Sequence, residues 1–210
     1  MRLPRAATAP ARRTQEQRSA ETRTRLLDAT IDCLVTYGYA GATTPRIAAQ
    51  AGVTRGAQVH HFGSRQDLMV AAISHLAQRR VQTAIGELGR LTLGDDPIGI
   101  LFDLLWEFHQ GPLAIAVMEL WMAGRTDAHL AAEMRRVEPV VNDALFEAIA
   151  RTVPDELRRE EARQFVYTAM DALRGIQVAN YISDDPERAR RRWQRACAQL
   201  RLGAGEFLDE

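Results

Sequence analysis

The chain has 210 residues, of which 46% are hydrophobic and 26% are charged, and its formal net charge at pH 7 is zero. This composition is typical of a globular protein, and the length fits one large or two small domains. No apolar run approaches the roughly 18 residues that span a bilayer, and no apolar signal segment follows the basic N-terminus. The two cysteines, Cys33 and Cys197, fit a reducing compartment. We therefore expect a cytoplasmic protein.

The zero net charge hides an asymmetry along the chain. Residues 1–65 carry ten Arg against four acidic residues, a net charge of +6, whereas the remaining residues carry 17 Arg against 23 acidic residues, a net charge of −6. A basic segment joined to an acidic body indicates that the first 65 residues contact a polyanion. Chance clustering of charges is the alternative interpretation.

The N-terminal segment is predicted to be an arm followed by a helix. Residues 1–13 contain Pro, Ala, Thr and Arg without periodicity, which predicts a flexible basic arm. Thr14 and Gln17 have the spacing of a capping box that opens the first helix. Apolar residues then recur at helical spacing, until Gly38 and Gly41 end the helix.

The next stretch, IAAQAGVTRGAQVHHF, predicts two short helices joined by a sharp turn. Thr44 followed by Pro45 offers an N-cap and a proline at the first helical position. Gly52 permits a left-handed turn that ends this helix. Thr54 then caps the second helix. Two helices joined in this way cross steeply, so the second one can project from the surface.

The rest of the chain is predicted to be helical, with about nine helices in total and no strands. Ser64 and Asp67 form a capping pair that opens a long helix at about 65–90. Three further starts combine a cap or a glycine with proline: Asp96-Pro97, Gly111-Pro112 and Asp185-Pro186. The TVPD stretch at 152–155 is predicted to be a turn, and Pro139 is predicted to kink or split a helix over about 127–151.

A projecting helix that begins after Thr54 fits the width of the DNA major groove. Arg55 can donate two hydrogen bonds to a guanine edge, and the small residues Gly56 and Ala57 allow a close approach to the groove. His60 is expected on the same exposed side. Four residues at helix ends or flanks are expected to contact phosphate: Thr44, Thr54, His61 and Arg65. For Arg46 a solvated charge and a phosphate contact remain equally open.

Residues 22–70 resemble the N-terminal domain of the TetR/AcrR family of transcriptional regulators. The matching pieces are GYAGATT, RIAAQAGVTRGA and HHFGSRQDL at specific spacings. The resemblance implies a DNA-binding domain at 14–65 and a larger helical domain at 66–210 that dimerises and holds a small ligand. It also implies that DNA is bound by a homodimer through the helix-turn-helix.

Two positions depart from the family pattern, which usually has an aliphatic residue followed by Tyr where this chain has Gln58 and Val59. The absent Tyr removes a backbone contact to DNA, which His60 or His61 is expected to replace. The pattern leaves open whether the Gln58 amide lies at the helix edge or contacts a base, and whether His61 packs against the fourth helix. Arg65 replaces a frequent Lys and serves equally well against phosphate.

The C-terminal part contains candidate effector and dimerisation elements. Residues 102–125 are rich in Trp, Phe and Met, and such stripes are usually core. In the family's architecture they wall a ligand cavity, and the expected effector is small and apolar or aromatic. The candidate ligand-binding residues are Phe102, Trp106, His109, Met118, Trp121, Met122 and Tyr167. By resemblance, the helices at about 155–183 and 186–202 form the homodimer interface, where small residues permit close approach.

The sequence does not indicate an enzyme, because it lacks a P-loop, a GxGxxG after a strand, HExxH and GxSxG. We expect no cofactor and no metal. His60 and His61 point about 100° apart on a helix, and no third ligand is nearby. The prediction is a ligand-responsive transcriptional repressor that binds a palindromic operator as a homodimer. The alternative is a DNA-binding regulator or architectural protein without a small-molecule switch, which a C-terminal domain lacking a closed apolar cavity would favour.

Overall fold

The structure, a computed structural model, describes residues 14–88, 96–150 and 156–208. Over these ranges the chain forms nine helices and no strand, which confirms the predicted all-α class. The helices are α1 (Gln15–Gly41), α2 (Thr44–Gln50), α3 (Arg55–Phe62), α4 (Arg65–Leu88), α5 (Pro97–Phe108), α6 (Gly111–Gly124), α7 (Ala128–Ala150), α8 (Glu156–Asn180) and α9 (Arg188–Leu208).

Side-chain caps begin several helices where the sequence predicts them. The Thr14 hydroxyl accepts a hydrogen bond from the Gln17 amide at 3.2 Å, and the Gln17 side chain accepts one from the Thr14 amide at 2.9 Å. Ser64 and Asp67 exchange the equivalent pair at the start of α4. Asp96 caps α5 by accepting from the Gly99 amide at 3.0 Å. These bonds satisfy amides that have no partner within the helix.

Other helix starts differ from the prediction. The N-cap of α2 is Thr43 rather than Thr44, and its side chain makes no capping bond, so proline at the second helical position fixes the start. Residues 186–187 form a turn, and α9 begins only at Arg188. The predicted arm at 1–13 and the TVPD turn at 152–155 lie outside the described residues.

Pro139 does not split its helix, because α7 runs unbroken from Ala128 to Ala150. A proline removes the amide that would bond the carbonyl four residues earlier, here that of Arg135. Both Pro139 and Arg135 are exposed, so water can satisfy this carbonyl. The prediction of a split therefore fails because the proline lies on the solvent side of the helix.

Two hydrophobic cores organise the described residues. The first joins α1, α2, α3, α4, α6 and α7 around buried residues such as Leu26, Ile47 and Leu68. The second joins α5, α8 and α9, where the Phe102 ring meets the Trp193 ring edge-to-face with centroids 5.6 Å apart. Helices α4 and α6 therefore share the first core with the helix-turn-helix.

Tyr39 at the end of α1 ties the helix-turn-helix to the larger helical domain. Gly38 adopts a positive φ of 66°, which interrupts the helix and reorients the backbone before Tyr39. The Tyr39 amide then donates to Glu119 Oε2 at 3.2 Å, and its hydroxyl donates to Asp127 Oδ2 at 3.0 Å. Both acceptors belong to α6 or to the loop that follows it. The glycine therefore positions a contact between the two parts of the chain.

No helix within the described ranges is both long enough and apolar enough to cross a membrane.

Candidate DNA-binding surface and effector cavity

The turn between α2 and α3 is built on Gly52. Its φ of 64° lies in the left-handed region, which glycine adopts without the steric cost of a Cβ. The Gly52 amide donates to the Ala49 carbonyl at 3.1 Å, and the Val53 amide donates to the Ala48 carbonyl at 3.0 Å. Val53 then packs against the first core. These contacts end α2 and redirect the chain into α3.

Helix α3 is anchored on one face and open on the other. The Thr54 hydroxyl accepts from the Ala57 amide at 3.1 Å and caps the helix, as predicted. Phe62 is buried in the first core. Arg55 and His60 are exposed. The helix therefore presents a cationic guanidinium and an imidazole to solvent.

The other candidates near α3 vary in exposure. Gly56 and Thr54 are exposed, whereas Ala57, Thr44 and His61 are half-buried. The His61 ring lies 6.3 Å from the Phe62 ring and 5.5 Å from the His60 ring, measured between centroids. All of these residues lie on α3 or at the adjoining helix termini.

Arg46 and Arg65 both bind the end of α1 rather than standing free in solvent. Arg65 donates to the carbonyl oxygen of Tyr39 at 2.7 Å and to that of Ala42 at 3.2 Å, and its guanidinium lies over the Tyr39 ring. Arg46 donates to the Gly41 carbonyl at 2.6 Å. Each guanidinium has five donors, so these bonds orient the charge and leave donors for a further acceptor.

Gln58 faces the interior, which disfavours the base contact that the sequence left open for its amide. Its side chain lies on the same face as Phe62, four residues later, and the residue is 2% exposed. Its Oε1 has no hydrogen-bond partner among the described residues. Val59, which the sequence showed only as a departure from the family pattern, is 50% exposed beside His60. The spacing of Gln58 and Phe62 was the signal that could have distinguished the two positions.

A cavity of about 50 Å³ lies between α4, α5, α6, α7 and α8. Three of the predicted ligand-binding residues line it: His109, Met118 and Trp121. Its volume is well below the roughly 300–1,000 Å³ of typical small-molecule sites. This cavity therefore leaves room for only a few heavy atoms in this conformation.

The other four candidates lie elsewhere. Phe102 packs in the second core against Trp193, and Trp106 lies under the Arg190 guanidinium, 5.0 Å from the ring centroid. Met122 is 56% exposed, because it follows Trp121 and points about 100° away from it. The Tyr167 hydroxyl accepts a long hydrogen bond from Arg163 at 3.4 Å. Aromatic and Met content alone did not separate the cavity face from its neighbours.

His109 is a neutral polar group in the cavity wall. Its Nδ1 lies 2.8 Å from the Leu105 carbonyl oxygen, which can only accept, so Nδ1 carries the proton and Nε2 a lone pair. Burial, followed by the positive charge of Arg80, lowers the pKa of His109 to about 3. The imidazole is therefore uncharged at neutral pH.

Arg80 is a cavity residue that sequence reasoning missed. It is 6% exposed, and its guanidinium lies 3.8 Å from the centroid of the Phe108 ring. Burial, with a smaller effect from Arg174, lowers its pKa to about 10, so it remains charged at pH 7. The available signal was an arginine on the apolar stripe of α4, in helical register with Ile73 and Leu76.

The described residues contain no cluster of His, Cys, Asp or Glu arranged to hold a metal ion.

A family profile matches the N-terminal part of the chain, and known regulators are similar to it over most of its length. The sequence profile described as "Bacterial regulatory proteins, tetR family" matches residues 26–72. The HTH-type transcriptional regulator CymR of Pseudomonas putida is 30% identical over 186 residues, which cover 87% of this chain and 90% of that protein. The HTH-type transcriptional regulator BetI of Cronobacter sakazakii is 24% identical over 164 residues, covering 78% and 81%.

Solved structures share the fold at lower identity. A TetR-family transcriptional regulator from Rhodococcus sp. superposes with a TM-score of 0.66 at 19% identity, covering 87% of this chain and 98% of that one. The multidrug binding protein EbrR, complexed with imidazole, has a TM-score of 0.60 at 22% identity, covering 85% and 93%. An exposed α3 after a glycine turn, a larger helical domain and these relatives together show that the chain belongs to the TetR family of bacterial DNA-binding transcriptional regulators.

Proposed function

We propose that the protein is a ligand-responsive repressor that binds a palindromic DNA operator as a homodimer in the bacterial cytoplasm. The observation that carries this proposal is the geometry of α3. Its N-terminus is capped, Phe62 anchors one face in the core, and Arg55 and His60 are exposed on the other side. A helix of this width enters the major groove, where the guanidinium of Arg55 can contact a guanine edge. His60 is proposed to contact a base or a phosphate.

The phosphate contacts are proposed to surround this helix. Thr44, Thr54 and His61 lie at helix ends or flanks, where hydroxyl, amide and imidazole groups reach a DNA backbone. Arg46 and Arg65 are held by carbonyl oxygens at the end of α1, so their charges are already oriented before DNA arrives. Preorganised guanidiniums lose little conformational entropy when they bind phosphate.

The proposed domains are a DNA-binding domain at 14–65 and a regulatory and dimerisation domain at 66–210. The dimer is proposed to form through α8 and α9. Two exposed apolar side chains support this: Ile182, in the turn just after α8, is 90% exposed, and Leu202 on α9 is 73% exposed. A monomer leaves these residues in water, whereas a helical interface buries them.

The switch is proposed to act through α4 and α6. Both helices line the cavity, and both share the first core with α1. Glu119 and Asp127, on α6 and just after it, accept the two hydrogen bonds from Tyr39. A ligand that displaces these helices changes the distance between the two α3 helices of a dimer. By linkage, ligand and DNA then weaken each other's binding. The multidrug-binding description of EbrR supports a ligand role for this architecture.

A regulator without a small-molecule switch is the second candidate. The observation that favours it is the cavity volume of about 50 Å³, which leaves little room for a ligand in this conformation. Under this alternative, α3 contacts DNA in the same way, but the occupancy of the operator depends only on the concentration of the protein.

Selection of bound DNA from a random pool tests the proposed function. We expect an enriched palindrome whose half-site centres lie ~34 Å apart or somewhat more, since a dimer places its two helices in successive major grooves. Enrichment without a consensus would overturn sequence-specific binding. A consensus without twofold symmetry would overturn the homodimer on DNA.

A further inference from the structure

One cation in the cavity wall, Arg80, has no paired carboxylate among the described residues. Arg80 is 6% exposed and lines the cavity, yet it has no hydrogen-bonded or ionic partner among the residues that the structure describes. Within the described ranges, its guanidinium lies against the face of the Phe108 ring, 3.8 Å from the centroid. A buried guanidinium of this kind is costly, because the aromatic face replaces only part of the lost hydration.

The second guanidinium in the cavity wall shows the usual arrangement. Arg174 lies 3.2 Å from Asp171 and 3.9 Å from Glu138, and it donates a long bond of 3.5 Å to the amide oxygen of Asn142. Its charge is therefore compensated by two carboxylates. Arg80 receives no such compensation, and the positive charge of Arg174 nearby is unfavourable to it. As far as the described part of the chain goes, the positive charge of Arg80 is therefore left uncompensated.

We propose that Arg80 binds the carboxylate of a small organic acid in this cavity, which makes the effector an organic anion. A carboxylate matches the fork of N–H donors on a guanidinium and supplies the missing counter-charge. This inference rests on the proposed function only for the effector role, whereas binding of the acid can be measured without DNA. The sequence predicted a small apolar or aromatic effector. The proposed contact with Arg80 adds one anionic group to that apolar body.

The remaining walls are suited to that apolar body. Val117, Met118 and Trp121 contribute apolar surface from α6, opposite Ile73 and Leu76 of α4. The volume of about 50 Å³ admits only a few heavy atoms without movement. A flexible side chain such as Met118 can adapt to a larger body. Entry of the acid therefore pushes on α4 and α6, the two helices that also contact α1.

Thermal unfolding of the full chain with matched pairs of probes tests the proposal. The probes are sodium benzoate against benzamide and sodium hexanoate against hexanamide, which differ mainly in charge. We expect the Tm to rise with carboxylate concentration, as for any ligand that binds only the folded state, and the amides to have little effect. Equal shifts from acid and amide, or no shift from either carboxylate, would overturn the proposal.

Variants of α4 identify the residue responsible. Arg80→Met keeps an apolar stem against Phe108 but removes the charge, and it should weaken carboxylate binding by about 10- to 100-fold. Arg80→Lys should retain part of the binding. Arg79→Met is the matched control, because Arg79 is exposed and pairs with Asp28 at 3.0 Å. A carboxylate response that survives in Arg80→Met would refute the assignment.

The Tm of Arg80→Met without any added acid distinguishes a ligand-binding role of Arg80 from a structural one. If Arg80 is retained for a ligand, Arg80→Met should have a higher Tm than the wild type without any acid, because it removes an uncompensated buried charge. If Arg80 has a purely structural role, the substitution should lower the Tm, and that result would count against the proposal.

Binding to the selected operator distinguishes failure of this inference from failure of the proposed function. We expect benzoate or hexanoate to release the wild-type protein from the operator, and Arg80→Met to bind the operator without responding. A protein that binds carboxylate but never binds DNA would overturn the proposed function alone. A protein that binds the operator but no carboxylate would overturn the inference alone.

Discussion

Replacement of Gln58 by leucine should stabilise the protein. The residue is 2% exposed, and its Oε1 has no hydrogen-bond partner among the described residues. An unsatisfied buried polar group costs about 1–3 kcal/mol, so removing it without changing the side-chain volume should raise the free energy of unfolding by about 2 kcal/mol. At about 2–4 °C per kcal/mol for a chain of this length, the Tm should rise by about 4–8 °C.

The assay is thermal or urea unfolding followed by circular dichroism, with Gln50→Leu as the control. Gln50 is exposed at the end of α2, so its replacement should change stability by no more than about 0.5 kcal/mol. A lower Tm for Gln58→Leu would refute the reasoning, because it would mean that the amide makes a stabilising contact. Operator affinity should be unchanged in the same variant. Loss of sequence preference with the fold intact would instead assign the amide to base contact.

Three further predictions address DNA binding and pH. Arg55→Ala should relax specificity at one base pair and weaken DNA binding by roughly 1–3 kcal/mol per half-site, as measured by competition between operator variants. Equal losses of affinity for specific and random DNA would contradict base contact by Arg55. Deletion of residues 1–13, which contain four Arg, should flatten the salt dependence of DNA affinity, and an unchanged slope would exclude phosphate contact by this segment. Burial, aided by the charge of Arg80, lowers the pKa of His109 to about 3. Between about pH 6.5 and 3 the unfolded chain therefore binds a proton at this residue that the folded chain does not. The free energy of unfolding consequently decreases as the pH falls through this range. Between pH 7 and 5 the free energy of unfolding should decrease by about 2 kcal/mol from this residue. Urea unfolding of His109→Gln should show a correspondingly weaker pH dependence. Identical pH profiles for the variant and the wild type would contradict this role of His109.

Local signals in the sequence determined the helices and the DNA-binding element. The Thr14–Gln17 and Ser64–Asp67 pairs cap α1 and α4 as predicted, because capping bonds join residues only three positions apart. The turn at Gly52 was also predictable, since a positive φ without steric cost is a property of glycine itself. Together with the motif spacing, these local rules were sufficient to identify the all-α class and the family.

Contacts between distant parts of the chain decided what the local rules could not. The sequence left two roles open for Gln58, and packing of α3 on the first core buried it and exposed Val59. Pro139 was expected to kink or split its helix, but its position on the solvent side allowed α7 to continue without a split. The charge of Arg80 was visible in the sequence, whereas its lack of a counter-charge among the described residues depends on the side chains that five different helices bring to the cavity. The acidic residue in that lining, Glu138, lies beside Arg174 instead. Burial and pairing are properties of the assembled core, and helical periodicity specifies only which residues share a face.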